Sequence, residues 1–499
     1  MAPDSPLHPD TGDMPPEEFR EWGHIAVDWM ADYLARVETL PVLSRVRPGE
    51  FRSSLPPRAP EVGESPGDLL RDFEEKVVPA LTHWNHPAFL AYFSVTGSGP
   101  GILGEMLAAT VNVNAMVWRT SPAGTELEAH VLDWLRDLLG LPAGLFGVIQ
   151  DTASISSMVA LAAARHRAWP SAREEGLSGL PRGRIYTSEQ AHSSIEKAAI
   201  ALGFGHKGVR KVETDDAFRM DPERLRAAIR EDLEAGIHPL AVVATVGTTS
   251  TTSVDPVAEV VEIAREFDLW LHVDAAYGGA AAVLPEMRPH FQGWEEADSI
   301  VVNPHKWLFT PVDCSVLYTR HREELRQAFS LTPEYLRTPE MDETHHLMDY
   351  GVALGRRFRA IKLWFVLRYF GAEGIRERIR EHIRLARRFA EQVDAEAGWE
   401  RLAPVPFSTV VFRFVPRSEE NREADQGADQ GADQGADDSE ADRVNQAILD
   451  RVNASGEAFL SHTRLGGKLA LRVAIGHLNT EARHLDRTWD LLREAALES

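Results

Sequence analysis

Between residues 100 and 320 the chain alternates helical patterns with short apolar runs: Arg184-Ile-Tyr-Thr, Leu240-Ala-Val-Val-Ala-Thr-Val, Leu269-Trp-Leu-His-Val and Ser299-Ile-Val-Val. A strand with one face in water alternates apolar and polar side chains, so runs that stay apolar must be covered on both faces. This pattern predicts a mainly parallel sheet with helices packed against each side, the α/β arrangement. Such sheets bind ligands just beyond the carboxyl ends of their strands, so the residues that close each run are the candidates for chemistry.

The Leu269 run closes on Asp274-Ala-Ala-Tyr-Gly-Gly, and the Ser299 run closes on Asn303-Pro-His-Lys-Trp, which places Lys306 at a strand end. Most lysines solvate a surface while their stems cover apolar neighbours. Lysine is scarce here beside arginine, and no acid within the Ser299 run stands ready to pair with Lys306. An amine and a carboxylate closing two buried strands are what a pyridoxal phosphate enzyme needs. The amine bonds the cofactor aldehyde, and the acid keeps the pyridine nitrogen protonated so that the ring can take up an electron pair. Asp274 could instead cap a turn or bind a metal, but Ala275-Ala-Tyr-Gly-Gly offers no second ligand and would admit a flat ring.

Three further segments fall at the same predicted edge. Gln150-Asp-Thr-Ala-Ser-Ile-Ser-Ser is a hydroxyl-rich turn opening a helix, able to hold a phosphate or simply to cap the helix. Thr245-Val-Gly-Thr-Thr-Ser-Thr-Thr adds hydroxyls after the Leu240 run, or is a polar loop. His192, in Glu189-Gln-Ala-His-Ser-Ser, follows the Arg184 strand, where it is either a satisfied structural residue or an imidazole stacked on the cofactor face.

With 499 residues, 43% hydrophobic and 26% charged, the chain can build a large domain with one or two smaller ones. A formal charge of −23 opposes binding to phosphate backbones, which requires clustered Lys and Arg, so no nucleic-acid partner is expected. Apolar stretches fall short of the ~20 residues a membrane helix needs. The single cysteine, Cys314, cannot form an internal disulfide, and Met1-Ala-Pro-Asp-Ser-Pro lacks the features of a signal peptide, so a cytoplasmic protein is expected. Three units are predicted: 1–98, a helical segment packing on a partner subunit; 99–361, the large domain; and 362–499, a small α+β domain. Residues 1–13 read as a mobile tail. Glu17 to Val37 has apolar residues at helical spacing and leads into a Pro-rich crossing from Pro48 to Pro66. A long helix is expected from Ile361 to Glu396, with strands at Thr409–Phe414 and Leu469–Ile475. Residues 417–442, with tandem Ala-Asp-Gln-Gly, are expected to form a disordered acidic insertion.

Glu17-Glu-Phe-Arg-Glu-Trp-Gly, Thr82-His-Trp-Asn-His-Pro-Ala-Phe-Leu-Ala-Tyr-Phe, Ser121-Pro-Ala-Gly-Thr-Glu-Leu-Glu, Gln190-Ala-His-Ser-Ser, His272-Val-Asp-Ala-Ala-Tyr, Asn303-Pro-His-Lys-Trp and Leu354-Gly-Arg-Arg-Phe-Arg together carry a resemblance. Over nearly the whole chain they resemble the group II pyridoxal-phosphate-dependent decarboxylases, most closely the aromatic-L-amino-acid decarboxylases. The resemblance implies a fold type I enzyme with a large, mainly parallel seven-stranded sheet domain, working as a homodimer with its active site at the subunit interface.

By the same resemblance Lys306 forms the internal aldimine, Asp274 pairs with the pyridine nitrogen and His192 stacks on the ring. Ala153, Ser154, Asn303 and His305 match phosphate-binding positions, Thr249 matches a hydroxyl near the Schiff base, and Ala276 joins the cofactor site. Tyr335 matches the mobile-loop tyrosine that protonates the quinonoid carbon. Trp84, Tyr92 and Phe93 match the substrate pocket, and Met116 is implied to come from the other subunit. Gly355 leaves room for an aromatic side chain where histidine decarboxylases carry serine.

The implied reaction converts tryptophan, phenylalanine, tyrosine or DOPA to an arylalkylamine and carbon dioxide. The alternatives are an aromatic aldehyde synthase, or a decarboxylase of glutamate, diaminobutyrate or histidine. Aldehyde synthases commonly replace the matching Tyr335 or His192, and both are retained here. Asp151, Ile155, Val95 and Asn114 depart from the animal enzymes and leave the preferred ring open.

Overall fold

The computed structural model describes residues 13–331, 344–416 and 434–498. Its larger sheet has seven strands: β1 (Phe146–Gln150), β2 (Gly183–Ser188), β3 (Val209–Val212), β4 (His238–Thr245), β5 (Trp270–Asp274), β6 (Ser299–Val302) and β7 (Ser315–Thr319). Their order is β1-β7-β6-β5-β4-β2-β3. Neighbours from β3 to β6 run parallel, whereas β7 lies antiparallel between β6 and β1. The reversal has a local cause. Parallel neighbours need a crossover, but β6 and β7 are joined through a turn whose only helix is the four-residue Pro304–Trp307.

Both faces of the sheet are covered, as the apolar runs require. In β4, Ala241 and Val243 enter one apolar cluster with Leu161 and Leu317, while Val242 and Ala244 enter the other with Val260 and Ile300. The helix Ala153–Ala168 lies against the first face and buries Ala160, Ala162, Ala163 and Ala164. These small side chains let its backbone approach the strands closely. Its N-terminus follows almost directly from β1, which brings the Thr152 turn to the end of the sheet.

A second sheet, β8 (Trp399–Arg401), β9 (Thr409–Phe414), β10 (Ser461–Leu465) and β11 (Lys468–Ala474), is antiparallel in the order β10-β11-β9-β8. Its core joins Phe412, Leu471 and Val473 to Phe389, Ile448 and Leu492 of flanking helices, and also takes in Ala88, Phe89 and Leu90. The helix Ala360–Ala395 supplies side chains to both cores and is interrupted at Gly371, whose φ of 63° and ψ of 171° break the helical path. The helix Pro16–Arg36 forms as its spacing predicts, yet buries none of its residues within the chain. The Pro-rich crossing contains a short helix, Glu50–Ser54. Among the described residues no helix is long and apolar enough to cross a membrane.

The expected disordered insertion needs correction at its C-terminal end. Residues 417–433 lie outside the described residues, as do residues 1–12 of the expected tail, but 434–442 belong to the helix Gln434–Ser455. Acidic side chains are engaged there. Asp438 lies 2.9 Å from Arg413, and Asp442 accepts from the Leu469 N–H at 2.7 Å and pairs with Arg464 at 2.8 Å.

Candidate active site

Five strand ends of the larger sheet, with their following turns, build one pocket of about 320 Å³. Asp274 and Thr245 close β5 and β4 in register with each other. Asp274 is buried and accepts the Ala276 N–H at 3.1 Å through Oδ1, so the turn after β5 fixes its carboxylate. The Asn303 N–H donates to the Ala276 carbonyl at 3.1 Å, and the Lys306 N–H to the Asn303 carbonyl at 3.0 Å. These two bonds set the Lys306 turn beside the Asp274 turn. From β1 come Thr152, Ala153 and Ser154 at the helix N-terminus, and from β2 comes His192.

The electrostatics suit a reactive amine. Lys306 is partly buried, and loss of solvent lowers its pKa, opposed by the Asp274 charge and reinforced by Arg472. Desolvation followed by the Lys306 charge likewise lowers the pKa of His192, with Asp274 acting in the other direction. The Ser194 N–H donates to His192 Nδ1 at 3.1 Å, and the Ser194 hydroxyl lies 2.9 Å from the same nitrogen, which leaves the ring proton on Nε2. His305 is fixed in the same way. Its Nδ1 accepts the Cys314 N–H at 2.9 Å, and burial pushes its pKa down to about 4.

An aromatic wall completes the pocket. Phe93 stacks on Tyr277 at 3.8 Å with 9° between ring planes, and Tyr277 stacks on Trp307 at 4.9 Å. Lys306 Nζ lies 5.3 Å and Arg472 Cζ 4.7 Å from the Phe93 ring centre, an arrangement that favours cations over the ring face. Trp84 and Tyr92 stack at 5.9 Å and remain exposed.

The residues present fit pyridoxal phosphate. Three buried polar atoms on the pocket lining, Thr245 Oγ1, Asn303 Oδ1 and Arg472 Nη2, have no hydrogen-bond partner among the described residues. Buried polar groups are normally satisfied, so these three leave donors and acceptors on the lining that a bound ligand can complete. Gly247, Ala153 and Ala276 leave space for a planar ring, and the helix N-terminus with the Thr152 and Ser154 hydroxyls suits a phosphate.

The structure brings Trp84, Tyr92, Phe93, Ala153, Ser154, His192, Thr249, Asp274, Ala276, Asn303, His305 and Lys306 to this one pocket. Met116 and Gly355 do not line it. Met116 packs with Val117 and Met348, and Gly355 is exposed beside Asn114. Tyr335 lies outside the described residues. Arg472, Tyr277 and Ser194 are pocket residues that the sequence reading did not select. Arg472 had a usable signal: it is the lone charge inside Leu469-Ala-Leu-Arg-Val-Ala-Ile, a run otherwise apolar.

A strand-end amine and carboxylate on a mainly parallel sheet, with a phosphate-suited helix terminus beside them, define a fold type I pyridoxal phosphate enzyme. The profile of the pyridoxal-dependent decarboxylase conserved domain matches residues 48–415, and the chain belongs to that family. It is 41% identical to tryptophan decarboxylase 2 of Oryza sativa subsp. japonica, over 97% of this chain and 95% of the relative. It is 40% identical to the phenylacetaldehyde synthase of Arabidopsis thaliana, over 97% and 96%. The crystal structure of Oryza sativa TDC with PLP and tryptamine superposes with a TM-score of 0.91 at 36% identity, covering 98% of this chain and 99% of that one. The cofactor of the present chain is accordingly pyridoxal 5'-phosphate.

Proposed function

We propose that the chain decarboxylates aromatic L-amino acids of the tryptophan, phenylalanine, tyrosine and DOPA class, releasing carbon dioxide and an arylalkylamine. The observation that carries this reading is the single pocket in which Lys306 and Asp274 meet the aromatic wall of Trp84, Tyr92 and Phe93. When bound, the cofactor supplies an electron sink for the pair left as the bond from Cα to the carboxylate breaks. Lys306 carries the cofactor and gives way to the substrate amine, and its lowered pKa favours the neutral nucleophile this requires. Asp274 holds a proton at the pyridine nitrogen. Thr152, Ser154 and the helix N-terminus bind the phosphate together with Asn303 and with His305, whose remaining proton sits on Nε2. His192 covers the ring, Thr249 and Ala276 flank it, and the Arg472 charge draws the substrate carboxylate inward.

To Tyr335 we assign return of a proton to Cα. A second reading, aldehyde formation, is favoured by the likeness to the phenylacetaldehyde synthase, 40% identical against 41% for the tryptophan decarboxylase. Incubating the purified holoenzyme with each amino acid and assaying amine, aldehyde and peroxide separates the two: amine without peroxide is expected, and stoichiometric peroxide overturns the first reading. Amine formation is expected to vanish in Lys306→Ala.

A homodimer and a cytoplasmic setting complete the proposal, with the units divided at 1–98, 99–361 and 362–499. The dimer is supported by the helix Gly99–Val111, which leaves Leu103 52%, Leu107 45% and Val111 55% exposed on one apolar side. It is supported also by the helix Pro16–Arg36, which has no buried residue of its own. Met116 and Gly355 would then complete the substrate pocket of a second copy.

A further inference from the structure

The motifs that end in Glu128 and begin at Leu354 supply no pocket residue, yet they meet in the interior. Arg356 is 5% exposed and Glu128 2%. Arg356 Nη2 lies 3.0 Å from Glu128 Oε1. The mutual attraction of a buried ion pair barely offsets the loss of hydration, so such a pair is better suited to fixing a geometry than to adding stability.

What it fixes is visible in the backbone. The Ile149 N–H donates to Glu128 Oε1 at 2.8 Å, and the Ile149 carbonyl accepts from Arg356 Nη2 at 2.6 Å. Ile149 is the penultimate residue of β1, just ahead of the Thr152 turn. On its other side the Arg356 N–H donates to Asn114 Oδ1 at 2.9 Å, and its carbonyl accepts from the Ala115 N–H at 2.9 Å. Gly355 and Met116 adjoin these bonded residues in the chain. The edge formed by Asn114, Met116 and Gly355 is therefore tied through one arginine to the strand that delivers the phosphate-suited turn.

We infer that Arg356, held by Glu128, is a positioning residue that makes this edge a rigid wall, and that the wall selects among aromatic side chains at the pocket it completes on a second copy of the chain. The inference rests on the homodimer reading. Exchanging one member alone strands a buried charge, so the informative variant is the paired Glu128→Gln with Arg356→Met, accompanied by Arg356→Lys. Each is prepared as holoenzyme. The ratio of dissociation constants for tryptophan and phenylalanine is read from the change in cofactor absorbance, with sedimentation for subunit state and amine release measured separately.

The ratio is expected to move by about tenfold in the paired variant, in the range that pocket shape commands, and by less in Arg356→Lys. A ratio unmoved within about twofold, while both constants weaken together, overturns the inference and assigns the pair a structural role. If the paired variant does not fold, Arg356→Lys decides by the same criterion. An active wild-type monomer overturns both the dimer reading and this inference. Absence of amine from a dimer whose ratio moves overturns only the decarboxylase reading.

Discussion

Backbone N–H groups decide where the protons of two pocket imidazoles reside, and this separates charge from shape at the site. His192 and His305 both accept at Nδ1 and so carry their neutral-form proton on Nε2. Asp274 permits a similarly clean separation, because an asparagine there could still accept the Ala276 N–H and would lose only the charge. Asp274→Asn is expected to bind cofactor and substrate yet to lower kcat by about a hundredfold or more, the usual cost of one lost electrostatic partner, as measured by amine release at saturating substrate. Asp274 and Lys306 are legible in the sequence because each ends an apolar run, where a charge has no hydration to gain. Arg472 obeys the same rule, but its run lies in the second sheet, and only the folded chain reveals that this strand reaches Phe93 and the Lys306 turn. Gly355 and Met116 sit away from the pocket within one chain, Met116 against Val117 and Met348 and Gly355 beside Asn114, so their part in a pocket rests on the proposed dimer.

At the level of elements, close backbone packing sets the strictest limits. A Cβ added at Gly104, in the helix Gly99–Val111, would lie 2.7 Å from Lys362 Cα in the helix Ala360–Ala395. A backbone atom cannot swing aside, so the two helices must separate. Gly104→Ala is expected to destabilise the protein by about 1–3 kcal/mol, as overpacking does; an unchanged melting temperature would refute this. The central strands β4, β5 and β6 are readable from sequence because burial on both faces leaves them apolar throughout. The edge strand β3 hides because Arg210 and Lys211 interrupt Val209–Val212, as is usual where one side of a strand is unpaired. Similarly, β7 follows too closely on the Lys306 turn to announce a separate element. The helix at 434–442 escapes notice because its stability comes from Arg413, Arg464 and β11, partners that composition cannot display.

Across the whole molecule, acid stability follows from buried imidazoles. Burial lowers His272, His305 and His382 to about 4 and His477 to about 3, against about 6.5 in an unfolded chain. As pH falls below about 6.5 the unfolded state takes up these protons first, and folding stability declines. Asp255 works in the opposite sense: burial raises it to about 6, so its contribution is present at low pH and is lost as pH rises through that value. The imidazoles outnumber it, and the holoenzyme melting temperature is expected to fall between pH 6.5 and 4.5; a rise would refute this assignment. On the proposed homodimer, Leu107→Glu places a charge on the exposed apolar side of the helix Gly99–Val111 and is expected to shift sedimentation from dimer toward monomer.

The helix Ala360–Ala395 gives Leu363, Leu367 and Ile379 to one core and Phe389, Ala390 and Val393 to the other. Melting either core therefore removes a wall from its neighbour. Heat should abolish both sheets in one cooperative transition, and a chain cut within this helix should leave two fragments that each lack part of their interior.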